Sequence, residues 1–140
     1  MPPQAALARL KRRAEFLRVA GARRKFVTPG AVVQAASRAP SDGDAARIGF
    51  TATRTVGPAV VRNRARRRLK EAARAAADAA APGVDYVVIA RAGTLDRRFE
   101  DLIGDVRKAF AALARNAVAR EALAQGALER DRRRDTEARR

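Results

Sequence analysis

Between Val60 and Arg74 the chain reads V-V-R-N-R-A-R-R-R-L-K-E-A-A-R, seven cations in fifteen residues with Glu71 as the sole acid. Guanidinium groups at this density suit a polyanion. Each presents a planar fork of donors that grips phosphate through two hydrogen bonds and stacks on unpaired bases. Protein-borne catalysis has little to work with, because the chain contains no histidine and no cysteine. That removes the commonest general base and the thiolate metal ligands, and it rules out a disulfide framework. The one acidic cluster, Asp96, Glu100 and Asp101, falls in a first helical turn, where the helix dipole favours acids in any case. A protein-only nuclease built on those three carboxylates is the weakest of the functional readings.

The chain has 140 residues, enough for one domain with tails, and carries 31 basic against 15 acidic residues for a formal +16. Charge of that size and sign implies a polyanionic partner. It is also unevenly placed: residues 1–30 and 54–74 each carry +7, while residues 31–53 between them are neutral. No segment approaches the roughly 18 apolar residues of a membrane span, and the N-terminus lacks a secretory apolar core. Glu15 and the absence of Ser from the first 30 residues argue against a transit peptide. The expected location is cytoplasmic, with no membrane partner.

The elements that must carry the basic run follow from periodicity. Leu10 to Ala20 reads as a short amphipathic helix stopped at Gly21, its flank basic through Lys11, Arg12, Arg13 and Arg18, and Arg9 just before it joins Lys11, Arg12 and Arg13 in a secondary basic patch. Lys25–Thr28 and Ala31–Ser37 are expected strands, split by Pro29 and Gly30, and Ala39–Ala45 is turn chemistry. Arg47 to Arg54 alternates, with Ile48, Phe50 and Ala52 on one face and Arg47, Gly49, Thr51 and Thr53 on the other. A helix is expected from Pro58 to Ala80, then a central strand over Tyr86–Ala90. From Asp96 a second helical stripe places Phe99, Leu102, Ile103, Val106, Phe110 and Leu113 in the core. The expected fold is α+β, one sheet covered on one face with the other open, in a domain over residues 9–115. Residues 1–8 are expected to be flexible, and 116–140 a basic tail, partly helical or disordered.

On a wheel of about 100° per residue, Val61, Ala65, Leu69, Ala72 and Ala76 share one arc. Arg62, Arg66, Lys70, Asn63, Arg74 and Arg67 form a continuous band beside it. Like charges four residues apart repel by a few tenths of a kcal/mol per pair, so this helix is stabilised by an anion and not by itself. Asn63 has an amide that donates and accepts, fit either to read a base or 2′-hydroxyl or to tie the helix to a loop.

The run R-N-R-A-R-R and its lead-in I-G-F-T-A-T-R-T-V-G-P-A-V-V resemble the protein subunit of bacterial ribonuclease P. R-L-K-R-R-A-E-F at Arg9–Phe16 is similar to that family's N-terminal helix, and D-Y-V-V-I-A-R at Asp85–Arg91 to its last strand. The resemblance implies a single-domain two-layer sandwich of about four strands in the order αβββαβα, with a left-handed βαβ crossover, the second-domain fold of a ribosomal small-subunit protein. It implies a partner, ribonuclease P RNA, bound 1:1, that carries the catalysis and most of the Mg2+ while cleaving the 5′ leader from precursor tRNA; no cofactor is expected in the protein itself. Arg62, Asn63, Arg64, Arg66, Arg67 and Lys70 inherit contact with the catalytic RNA. A leader cleft between the first helix and the open sheet face falls to Phe16, Gln34, Thr51, Thr53 and Arg54, where Phe16 is either a stacking aromatic or a core residue. Ala20 and Gln34 stand where many members carry aromatics, and Arg54 and Thr55 where many carry lysines, which implies more polar, more salt-dependent leader contacts. The alternative reading is a ribosomal or other general RNA-binding protein with no role in cleavage.

Overall fold

The computed structural model describes residues 7–38, 43 and 45–116. Most of the expected N-terminal arm, most of the Ala39–Ala45 turn and nearly all of the C-terminal tail therefore lie outside the described residues. Five strands form one sheet in the order β1-β4-β5-β3-β2. Along the chain they are β1 (Ala8–Arg9), β2 (Lys25–Val27), β3 (Ala31–Ser37), β4 (Arg47–Thr51) and β5 (Val84–Ala90). The helices are α1 (Arg13–Gly21), α2 (Ala59–Ala75) and α3, over residues 99–116. Among the described residues no helix is long and apolar enough to cross a membrane.

β5 is central because it has almost nothing polar to keep in water. It pairs antiparallel with β3, from Ala31 with Ala90 to Ser37 with Val84, and parallel with β4, from Arg47 with Asp85 to Thr51 with Ile89. The parallel β4–α2–β5 unit carries the basic helix over the sheet. Tyr86, Val88 and Ala90 join Val33, Ala35 and Ile48 in the main core under α2 and α3. The α2 face there is Ala65, Leu69, Ala72, Ala73 and Ala76, small enough for the helix to lie close on the sheet. Tyr86 packs on Phe110 with ring centroids 4.7 Å apart, and its hydroxyl accepts a hydrogen bond from the Ala81 amide.

Four elements differ from the sequence reading. A fifth strand, β1, precedes α1 and pairs parallel with β4; two residues are too few to leave a period. Because of it, Leu10 leaves the helix, which starts at Arg13, and is buried in the strand-to-helix link. Phe99, placed in the core by its spacing, opens α3 and is 40% exposed, its ring beneath the Arg68 guanidinium at 5.9 Å. α2 also stops at Ala75 and gives way to a 3-10 turn at Ala77–Ala79, where the Ala-rich sequence has no cap to hold a longer helix.

α1 lies on the opposite face of the sheet and covers it only in part. Its apolar contact is small: Val19, Leu10, Ala36 and Val87, with Phe16, Ala22 and Ile89 at the margin. Full burial of Val19 stabilises by about 1.5–3 kcal/mol. The stronger tie is polar. Asp85, on this face and fully buried, accepts hydrogen bonds from Arg47 (2.8 and 2.6 Å), from Arg38 (2.6 Å) and from Arg18 of α1. Arg18 also donates to the Ser37 carbonyl at 3.0 Å, and Arg47 reaches Glu15 of α1 at 3.4 Å. Burial pushes the Asp85 carboxyl up, but the hydrogen bonds and charges of Arg47 and Arg38 more than offset it and hold it below its ordinary 3.8.

A carboxyl held below its unfolded value stabilises the fold at all pH above that value, and the stabilisation is lost as pH falls through the folded value. Asp85→Asn is therefore expected to lower unfolding free energy at neutral pH by about 3–5 kcal/mol, because three arginines lose their counter-charge. The deficit relative to wild type should shrink below about pH 4. Urea titrations of both proteins across the acid range check this.

Candidate nucleic-acid interface

α2 begins at Ala59 after Gly57 and Pro58, with the Arg62 amide bonded to the Pro58 carbonyl at 2.9 Å. Gly57 has φ +148°, a backbone that side chains rarely adopt, so the turn from β4 into α2 needs glycine there. With Ala65, Leu69, Ala72 and Ala76 buried, the cations divide by azimuth. Arg68 turns towards α3, donating to the Arg97 carbonyl and lying over Phe99. Asn63, Arg64, Arg67, Lys70 and Arg74 are exposed, and Arg62 and Arg66 are half-buried. Arg74 meets Glu71 at 3.6 Å, an exposed pair of little energetic weight. Asn63 accepts a hydrogen bond from Arg66 within the helix. Its carbonyl thus orients a cation one turn on, and among the described residues no hydrogen bond ties it to a loop.

Arg66 and Lys70 border a pocket of about 250 Å3 at the β4 edge of the sheet, with Arg9, Leu10, Phe16, Ile48, Gly49 and Phe50 as the other lining residues. Three separately expected groups meet here: the basic helix, the N-terminal basic flank and the aromatic of α1. The lining holds three cations and no carboxylate. Phe16 is half-buried and joins the α1 apolar cluster, so its ring both packs and lines the pocket. Gly49 makes that possible. A Cβ on it would stand 2.4 and 2.5 Å from two Phe16 ring carbons.

The other expected positions spread across the α1 side of the sheet. Gln34 aligns with Val87, and Val87 with Gly49, in one row; Thr51 aligns with Ile89 and Ile89 with Val32 in the next. Gln34 and Thr51 are half-buried, floor positions for a cleft beside α1. Thr53 and Arg54 lie past the end of β4, exposed, and flank the floor. Lys11, Arg12 and Arg13 are exposed at the start of α1, next to the pocket residue Arg9. Asp96, Glu100 and Asp101 do not converge: no three carboxylates among the described residues lie close enough to hold a metal ion.

Asp85 and its arginines escaped the sequence reading. The signal was present, since a lone acid heading the apolar run D-Y-V-V-I-A must either stay in water or find cations. Arg68, which the wheel leaves outside the cationic band, is engaged towards α3, a role that a charge count does not show.

Fold and surface together define a small basic α+β protein with a one-sided cationic helix beside a half-covered sheet. The ribonuclease P family model matches residues 5–122, and this chain belongs to that family. The ribonuclease P protein component of Gluconacetobacter diazotrophicus is 55% identical over 101 residues, covering 71% of this chain and 85% of that protein. That of Paramagnetospirillum magneticum is 50% identical over 109 residues, covering 76% and 82%. Among solved structures, the ribonuclease P protein from Thermotoga maritima matches with a TM-score of 0.64 at 24% identity, covering 74% of this chain and 96% of that one. The Staphylococcus aureus protein matches with a TM-score of 0.61 at 22% identity, covering 74% and 93%. These two likenesses speak for the fold.

Gly49→Ala should displace the Phe16 ring and lower stability by about 1–3 kcal/mol, the usual range for overpacking. Chemical denaturation measures the loss. Gly49→Ala combined with Phe16→Leu, which vacates the ring position, should recover part of it.

Proposed function

We propose that this chain is the protein subunit of a ribonuclease P ribonucleoprotein, which removes the 5′ leader of precursor tRNA by endonucleolytic cleavage. Membership of the family supports the assembly and the reaction. The observation that carries the division of labour is the pocket in which Arg66 and Lys70 of α2 meet Phe16 and Arg9. One side of it belongs to the helix assigned to the catalytic RNA, the other to the cleft assigned to the leader.

In this reading the RNA subunit, bound 1:1 in the cytoplasm, would hold most of the Mg2+ and carry the chemistry. The protein's residues bind and orient. Arg62, Arg64, Arg66, Arg67 and Lys70 neutralise the backbone of the catalytic RNA, and Asn63 holds Arg66 in register for it. Repulsion between Arg62, Arg66 and Lys70 in the free helix is relieved when phosphates interleave. Phe16 offers a ring face to a leader base, an interaction worth about 1–3 kcal/mol when a base stacks on it. Gln34, Thr51, Thr53 and Arg54 line or flank the path of the strand, and Lys11, Arg12 and Arg13 extend the cationic rim.

Titrating the protein into a cleavage reaction of precursor tRNA and ribonuclease P RNA at low Mg2+ should stimulate 5′ maturation. A general RNA-binding protein would bind both RNAs without stimulating the reaction, and that outcome rejects the proposal. Arg66→Ala and Lys70→Ala should each weaken binding to the catalytic RNA and reduce the slope of log affinity against log salt by less than about one unit. An unchanged slope in the double variant means that this face does not touch phosphate.

A further inference from the structure

The α1 side of the sheet has a second cationic end, away from the pocket. Sheet order and register define it. α1 starts with Phe16 over Gly49 of β4, continues with Val19 packed among Ala36 and Val87, and hands the chain to β2 through Ala22, Arg23 and Arg24. It thus crosses from the β4 side of the sheet to its β2 edge. Those strands are three inter-strand gaps apart, about 14 Å. Lys25 pairs with Gln34 and Val27 with Val32, so both face the α1 side. Lys25 is exposed there and Val27 is 53% exposed.

Arg23 stands out at this end. Its φ is +56°, and it is the only described residue other than glycine with positive φ. A residue with a Cβ is strained there, which is why glycine usually takes the position after a helix. Gly21, two residues earlier, has no Cβ contact to avoid and does not take the left-handed turn. The strain therefore falls on a residue with a long cationic side chain. Arg23 is exposed, and neither it nor Lys25 has an ion pair among the described residues. The sequence from Phe16 to Arg38 contains no Asp or Glu to engage them.

We infer that Arg23 and Lys25 form the distal anchor of the leader cleft, a phosphate-binding pair that engages leader nucleotides farther from the cleavage site than those near Phe16. The inference rests on the assignment of the α1 cleft to the leader. The floor between the two ends, Val32, Gln34, Ile89 and Thr51, is apolar or neutral and lets bases pass without repulsion. Cations at both edges then hold the strand across the sheet, and the span between them sets how much leader contributes to affinity.

Arg23→Gly separates this role from a structural one, because its two effects have opposite signs. Relief of the left-handed strain should raise the Tm of the protein by about 2–5 °C. In holoenzyme reconstituted with ribonuclease P RNA, precursor tRNAs whose leaders grow one nucleotide at a time should show affinity rising with length for wild type. With Arg23→Gly the rise should stop earlier, leaving the longest leaders bound roughly two- to fivefold more weakly and the shortest unchanged. Lys25→Ala should give the same early stop without the rise in Tm, and Arg23→Lys should restore the late gain. Equal gains at every length in wild type and Arg23→Gly overturn the distal anchor while leaving the cleft assignment intact. A fall in Tm for Arg23→Gly overturns the strain argument. Wild type with no dependence on leader length refutes the cleft assignment itself, and the distal anchor with it.

Discussion

A buried carboxylate ringed by three arginines holds the two halves of this molecule together. Asp85 sits on the central strand, and its partners come from α1, from the residue after β3 and from β4. The apolar contact under α1 is four buried residues, too small to fix a helix of nine residues alone. Replacing such a cluster by well-packed apolar residues is often no less stable, so energy alone does not explain its presence. What the ion cluster adds is direction. Guanidinium forks accept few geometries, and they set where α1, and with it Phe16, lies over the sheet.

That anchoring separates cations the fold has engaged from cations left free. Arg18, Arg38 and Arg47 serve Asp85, Arg97 is paired with Asp105 at 2.9 and 3.0 Å, and Arg68 covers Phe99. The Asp105 carboxylate also accepts from the Gly30 amide at 3.1 Å, where a Cβ would stand 2.6 Å from Leu102, so the β2–β3 turn is held against α3. Among the described residues, what remains unengaged is concentrated on one flank of α2, around the pocket and at the end of α1. Their positive charge is thus a directional surface and not a uniform coat.

Much of this was legible in the sequence where a period was long enough to read. The β3 limits at Ala31–Ser37, the alternation through Ile48 and Phe50, and the buried arc of α2 all follow from side-chain spacing. β1 was not, because two residues carry no period and its pairing with β4 is a tertiary event. Phe99 fitted the α3 stripe by spacing but lies at the exposed start of the helix, where spacing says nothing about what is overhead. The meeting of Phe16, Arg9, Arg66 and Lys70 depends on β1 and the β4 edge coming together, which no local pattern encodes. For Phe16 spacing left core and cleft both open, because its ring packs against Gly49 and the α1 cluster while it also lines the pocket.

The central claim is that RNA engages the α2 flank and the α1 side, not the α3 side. Arginine-selective modification with phenylglyoxal, mapped by mass spectrometry with and without ribonuclease P RNA and precursor tRNA, tests it across the whole surface at once. The account predicts protection of Arg62, Arg64, Arg66 and Arg67 on assembly, with the exposed Arg98 and Arg107 of the α3 side reacting as before. Protection of Arg98 and Arg107 while the α2 arginines stay reactive would contradict it.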